Sequence, residues 1–259
     1  MVGHMQGSRI TVLGAGSWGT ALAGLLADKG HHVVLWARQE THAKALAEHR
    51  QNSFYLPNYD LPSSLTVTAD LKHALKQADI IISAVPTHGL RGVYEIAKAD
   101  VPSDVPVVVA SKGIENVTLL RGSEVVGEYL PKEQQRYICV MSGPSFAQEV
   151  VSAIPTAVVV AGQDEQTTKH VQHALATTRF RVYTSDDLIG VEIGGALKNV
   201  IAIAVGVADG LGMGHNTRAG LITRGLTEIS RLAVKLGAHP LTLAGLSGMG
   251  DLVLTCTVD

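Results

Sequence analysis

The chain has 259 residues, a formal net charge of −2, 46% hydrophobic and 17% charged residues, and 27 glycines. That length holds one large domain or two smaller ones with ample core, and the composition excludes a disordered chain. The near-neutral charge, with no long basic run, argues against nucleic acid or an anionic membrane surface as a partner. Two cysteines, Cys139 and Cys256, make neither a disulfide framework nor a zinc pattern and read as buried apolar residues in a reducing compartment. No histidine falls in H-E-x-x-H or a comparable ligand cluster, so no metal is expected; His31 and His32 precede a strand and His4 sits in a polar leader, all read as surface residues. No segment offers the roughly 18 to 20 apolar residues free of charge that a membrane span needs. The leader MVGHMQGSR has no apolar signal core, and a cytoplasmic protein is expected.

The first predicted strand, Ile10–Leu13, runs into GAGSWGTALAGLLA, where Gly14, Gly16 and Gly19 fit G-x-G-x-x-G between a strand and a helix. The first glycine makes the tight turn, the second lets a pyrophosphate approach the backbone, and the third lets helix and strand pack closely. The opening amides of the helix then face the anion with the positive end of its dipole. A second strand, Val33–Trp36, is followed by Arg38, where such folds usually carry an acid for the adenosine ribose hydroxyls. An arginine accepts a 2′-phosphate, which favours NADP, or tolerance of both cofactors, over strict NAD; the competing reading is an ordinary surface arginine near Glu40. Strands are further expected at Leu65–Thr68, Ile80–Val85, Val105–Ala110 and Tyr137–Met141, with two more, Ala157–Ala161 and Arg181–Tyr183, of open direction. Continuous runs such as IIISAV and VPVVVA read as strands buried on both faces. The fold class is therefore α/β: a Rossmann-type, doubly wound, mainly parallel sheet followed by an all-helical part.

Two turns on the strand ends carry candidate chemistry. Lys112, in SKGIE, lies just past a buried strand, where ligands of open α/β sheets bind. Gly143 and Pro144 shape the turn MSGPSFAQE, and Ser145 is either a substrate-facing hydroxyl or a helix N-cap with Gln148 as its capping-box partner.

The texture changes near Ser185, and a boundary at 186/187 divides a dinucleotide-binding domain, 1–186, from a helical substrate domain, 187–259. A helix from Asp187 to about Leu211, capped by Ser185 or Asp186, is apolar almost all round and reads as buried. A second, amphipathic helix is expected from about Thr217 to Lys235, with Gly237 as its stop. Lys198, beside Asn199, is interior to the apolar helix and must find a partner, reach solvent or line a cavity. Gly194 and Gly195, one turn earlier, let another backbone or a flat ligand come close. That setting suits a proton donor to a carbonyl.

The stretches GAGSWGTALA, NSFYLPN, SKGIE, SGPSFAQEV, EIGGALKNVIAIAVGVADGLG, NTRAGLITRGLTEI and GLSGMGDLVLTCT together resemble the bacterial NAD(P)-dependent glycerol-3-phosphate dehydrogenases over nearly the whole chain. The resemblance implies reversible reduction of dihydroxyacetone phosphate, a phosphate ester, to sn-glycerol 3-phosphate, a phospholipid precursor, with NADP or NAD. It places Gly14, Gly16, Ser17, Trp18 and Gly19 at the cofactor pyrophosphate, Arg38 near the adenosine ribose, and Ala147 at the cofactor. Lys112 would hold cofactor and substrate, Gly143 and Ser145 the substrate. Lys198 would be the catalytic acid/base with Asn199 beside it, and Asp251 would contact substrate and orient that lysine. The competing readings are a related hydroxyacid dehydrogenase and a nucleotide-binding remnant. In the family, the stretch matching LVLTCT continues into a Ser-Arg-Asn motif that serves phosphate and cofactor binding, whereas this sequence ends TCTVD. From that departure a nucleotide-binding but weakly reducing chain is expected, with an apolar face left uncovered that promotes association, a homodimer being the simplest form.

Overall fold

In the computed structural model, which describes residues 7–257, the chain alternates strand and helix through its first two-thirds. The opening units are β1 (Arg9–Leu13), α1 (Ser17–Asp28), β2 (His32–Trp36), α2 (Glu40–His49), a small hairpin of β3 (Gln51–Asn52) and β4 (Leu56–Asp60), and β5 (Thr66–Thr68). Next come α3 (Leu71–Leu75), β6 (Ile80–Ser83), α4 (Thr87–Ala97), β7 (Val107–Val109), α5 (Gly122–Gly127), β8 (Ile138–Ser142) and α6 (Ala147–Val151). The sheet part closes with β9 (Thr156–Gly162), α7 (Glu165–Leu175) and β10 (Phe180–Ser185). Three helices follow, α8 (Leu188–Gly210), α9 (Gly214–Lys235) and α10 (Asp251–Thr257). His4 and the rest of the first six residues lie outside the described residues.

Eight strands form one sheet in the order β5-β2-β1-β6-β7-β8-β9-β10. From β5 to β8 all pairs are parallel, the doubly wound arrangement with its switch point between β1 and β6. The two strands of open direction, β9 and β10, run parallel to each other and antiparallel to β8. The five residues of α6 are too short a helix to recross the sheet, so the chain turns back on itself there.

The apolar runs are buried on both faces, as their continuity implies. Ile10, Val12, Ile80 and Ile82 feed one core layer, while Leu13, Ile81, Val107 and Val109 feed the other. Each such side chain contributes about 1.5–3 kcal/mol by leaving water. Cys139 and Cys256 are buried free thiols, and burial pushes the Cys139 thiol up to about 12. His31 departs from its reading as a surface residue. It is half-buried, its Nδ1 accepting from the Ser8 amide at 3.1 Å and its Nε2 donating to the Ala174 carbonyl at 2.9 Å.

The helical part corrects three expectations. The cap of α8 is Asp187, not Ser185 or Asp186: its Oδ1 accepts from the Gly190 amide at 2.8 Å and its Oδ2 from the His239 amide at 2.9 Å. Helix α9 starts at Gly214, a turn earlier than expected, and stops as predicted at Gly237 (φ +102°). There the Gly237 amide bonds the Val234 carbonyl and the Ala238 amide the Ala233 carbonyl, the Schellman pattern. Finally, α8 is mostly buried over its first half, whereas in its second half Val205 and Ala208 are buried and Val200, Ile203 and Val207 are exposed, at 63%, 69% and 58%. By length and composition alone α8 is apolar enough to cross a membrane. It carries Glu192 and Lys198, however, both buried in ion pairs within the fold.

Candidate active site

At the switch point, β1 is followed by Gly14, whose φ of +106° only glycine adopts without strain. A Cβ there would lie 2.8 Å from the Ala84 carbonyl oxygen, and one on Gly19 would lie 1.9 Å from that of Gly14. A Cβ on Gly16, by contrast, would meet nothing within 4 Å, because that residue faces a cavity. No side chain caps the N-terminus of α1 and no acid lies in its first turn, so its first amides are free to meet an anion. This cradle fits a dinucleotide pyrophosphate.

The cavity has a volume of about 520 Å³ and is walled by Gly14, Gly16, Ser17, Trp18, Arg38, Lys112 and Ser145 among others. Gly19 and Ala147 are not on its wall; Gly19 acts by letting α1 close on β1, and Ala147 opens α6. Sequence reasoning missed His42 and Tyr55, whose rings stand 5.6 Å apart on the Arg38 side. His42 stands on α2 and Tyr55 in the β3–β4 hairpin, which the buried Asn52 ties to the glycine loop and α1, its Nδ2 donating to the Ala15 carbonyl at 3.0 Å and to Thr20 Oγ1 at 2.7 Å. The stretch NSFYLPN was the available signal, but no chemistry in it marks a ring for the cavity.

A second cluster adjoins this wall. Asp251, wholly buried, is the first residue of α10 and directly follows a single π-helical turn, Leu246–Gly250. Its Oδ1 accepts from Lys198 Nζ, and its Oδ2 accepts from Lys112 Nζ at 2.5 Å. Lys112 also donates to the Gly143 carbonyl at 3.1 Å, and Ser142 Oγ stands 3.5 Å from the same carboxylate. Two ammonium groups share one carboxylate, so the cluster keeps a net positive charge suited to an anionic ligand or a developing oxyanion. Burial is the first cause that brings Lys112 down to about 8; Lys198 adds to it and Asp251 opposes it.

Glycines make this convergence sterically possible. A Cβ on Gly195 would fall 2.4 Å from Ser142 Oγ, and one on Gly194 would fall 2.4 Å from the Ser247 backbone oxygen. Another backbone does approach α8 here, as the paired glycines suggested. Gly194→Ala should therefore push the π-turn and Asp251 away from α8 at a cost of about 1–3 kcal/mol. Chemical denaturation of the purified variant checks this, and an unchanged midpoint would contradict the close approach.

The remaining sequence candidates divide. Gly143 (φ +144°) turns the chain at the end of β8, and a Cβ on it would lie 2.9 Å from Val158 Cα. Ser145 does not cap α6: the N-cap position is Phe146, no side chain caps it, and the capping box with Gln148 is not formed. Its hydroxyl donates to the Gly143 carbonyl at 3.0 Å on the cavity wall. Asn199 is exposed and stands outside the cluster on Asp251.

A doubly wound sheet with a glycine cradle at its switch point, and a buried lysine delivered beside it from a helical layer, defines a dinucleotide-dependent dehydrogenase architecture. The family model for the NAD-dependent glycerol-3-phosphate dehydrogenase N-terminus matches residues 9–168, and that for its C-terminus matches residues 187–259. The glycerol-3-phosphate dehydrogenase [NAD(P)+] of Leptospira biflexa is 52% identical over 248 residues, covering 96% of this chain and 74% of that protein. The protein of the same name from Anaeromyxobacter dehalogenans is 51% identical, covering 97% of this chain and 76% of its own length. Among solved structures, a glycerol-3-phosphate dehydrogenase from Coxiella burnetii superposes with a TM-score of 0.92 at 42% identity, over 98% of this chain and 77% of the other. The chain belongs to the NAD-dependent glycerol-3-phosphate dehydrogenase family.

Proposed function

We propose that this chain reversibly reduces dihydroxyacetone phosphate to sn-glycerol 3-phosphate with NADPH or NADH. The observation that carries the reading is the pair of lysines on Asp251, one of which, Lys112, is also part of the wall of the glycine-cradled cavity. The glycine loop with Ser17 and Trp18 holds the pyrophosphate, and Arg38 faces the adenosine ribose. When bound, the nicotinamide supplies the hydride. Lys198 Nζ gives the proton to the carbonyl oxygen, and its short reach to Asp251 fixes its direction. Lys112 adds positive charge between cofactor and substrate, and Gly143 and Ser145 complete the substrate side. The division at 186/187 separates the part that holds the cofactor from the part that brings Lys198 and Asp251.

The protein is taken to work in the cytoplasm, and the exposed apolar face of α8 supports association as a homodimer. Proton NMR of the products tests the substrate class. The expected product from dihydroxyacetone phosphate is sn-glycerol 3-phosphate; faster reduction of short 2-keto acids would point instead to a hydroxyacid dehydrogenase.

Arg38 stands exposed on the cavity wall, while Glu40 beside it is occupied by Lys44 at 2.8 Å. Arg38→Ala removes the cation that would meet a 2′-phosphate, a charge-assisted bond worth about 1.5–3 kcal/mol. KM for NADPH should rise roughly tenfold to a hundredfold with little change for NADH. Equal effects on both cofactors in steady-state assays would remove Arg38 from 2′-phosphate recognition.

A further inference from the structure

One buried anion of α8 remains outside the reaction described above. Glu192 has a side chain only 3% exposed, and all its partners come from one short segment. Its Oε1 accepts from the Ser123 amide at 2.8 Å, and its Oε2 accepts from Ser123 Oγ at 2.6 Å and Arg121 Nη1 at 3.1 Å. Gly122 lets the segment come this close: a Cβ there would lie 3.1 Å from Val109 Cγ1 and 3.4 Å from Glu192 Oε1. Glu124, bonded to Arg121 at 2.8 Å, is the other charge facing the carboxylate.

The segment that Glu192 grips is the far end of the loop that begins at Lys112. Arg121 is bridged to Ile114, two residues past Lys112, and the Glu115 amide donates to the Leu120 carbonyl at 2.9 Å. Arg91 holds the same loop from α4 through two bonds to Glu115, at 2.9 and 2.8 Å. These bonds tie the loop into one piece with Lys112. Further along, near the middle of α8, stands Lys198, and Gly195 between it and Glu192 abuts Ser142 and the Lys112 stem. A buried carboxylate is a costly way to join two elements that apolar side chains would join as well. Three directional bonds add a fixed register between α8 and the loop.

We infer that Glu192 is a positioning residue: by gripping Arg121 and Ser123 from α8, it sets the separation of Lys112 and Lys198 across Asp251. This rests on the reduction proposed above. Glu192→Gln keeps the volume but weakens the grip on Arg121, and the loop should then part from α8 and admit water to Lys112. Lys112 faces Asp251 and Lys198, and its lowered pKa comes chiefly from burial, so loosening raises it.

Glu192→Gln and Ser123→Ala variants of this chain test this beside the unaltered chain. The readouts are kcat, KM for dihydroxyacetone phosphate, NADPH affinity, and the pH dependence of Lys112 acetylation by acetic anhydride, followed by mass spectrometry. Glu192→Gln should lower kcat about tenfold to a hundredfold while NADPH affinity holds. Ser123→Ala should fall between, and both should move the Lys112 titration to higher pH. A folded Glu192→Gln protein with unchanged kcat and an unmoved Lys112 titration overturns the inference. If the unaltered chain fails to reduce dihydroxyacetone phosphate, the proposed reaction fails, and the Lys112 titration still decides the role of Glu192.

Discussion

Lys198→Ala is expected to lower turnover by about three orders of magnitude, the loss of a general acid and of a cation beside the developing oxyanion. NADPH affinity should stay near that of the unaltered chain, because Lys198 is not on the cavity wall formed by the glycine loop. The fold should survive as well, since Asp251 keeps its second partner, Lys112. Steady-state kcat together with a fluorescence titration of NADPH separates the two effects. Near-normal turnover would remove Lys198 from the chemistry; loss of cofactor binding would assign it to the nucleotide site instead.

Asp251→Ala should be damaging in a different way. It leaves two lysines side by side in a buried site, with side-chain exposures of 22% and 10% and no carboxylate between them. Removing one partner of a buried ion pair costs about 3–5 kcal/mol, against a total stability of about 5–15 kcal/mol for a folded domain. A marked fall in Tm is therefore expected along with loss of turnover. Asp251→Asn keeps the volume and isolates the electrostatic part. In it, the attraction that opposes the lowering of Lys112 is gone, so Lys112 should titrate below about 8 and lose its proton earlier as pH rises. The alkaline limb of kcat/KM should accordingly move to lower pH, opposite to the shift expected for Glu192→Gln. An Asn variant with unchanged stability and pH profile would show that the cluster does not set the lysine charges.

Most of the sheet was legible because its signals are local. Steric demands at Gly14, Gly16 and Gly19 follow from three positions in six residues, and the doubly buried runs at Ile80 and Val107 announce a parallel sheet. Lys198 was also legible: a lysine inside an apolar helix must have a partner. That partner was not readable from the helix itself, because Asp251 lies 53 residues away and Lys112 joins it across 139. The resemblance to a known family linked Asp251 to Lys198, but the bond from Lys112 to the same carboxylate had no signal in the sequence. The π-turn that presents Asp251 depends on Gly194 and Gly248 admitting backbone, a tertiary fact with no periodic signature.

The local misreadings have local causes. Asp187 outcompeted Ser185 and Asp186 as a cap because its second oxygen also meets the His239 amide. Ser145 gave up the cap position because its hydroxyl bonds the Gly143 carbonyl instead. The apolar second half of α8 suggested burial on every side, yet periodicity states what a face prefers and not what covers it.

The most direct test is oxidation of NADPH by the purified chain with dihydroxyacetone phosphate, run beside NADH and a blank without substrate. The account predicts substrate-dependent oxidation that disappears with Lys198→Ala and falls off above about pH 8 as Lys112 loses its proton. Tight NADPH binding without any substrate-dependent oxidation would contradict it, leaving a chain that holds the nucleotide and does not carry out the reaction.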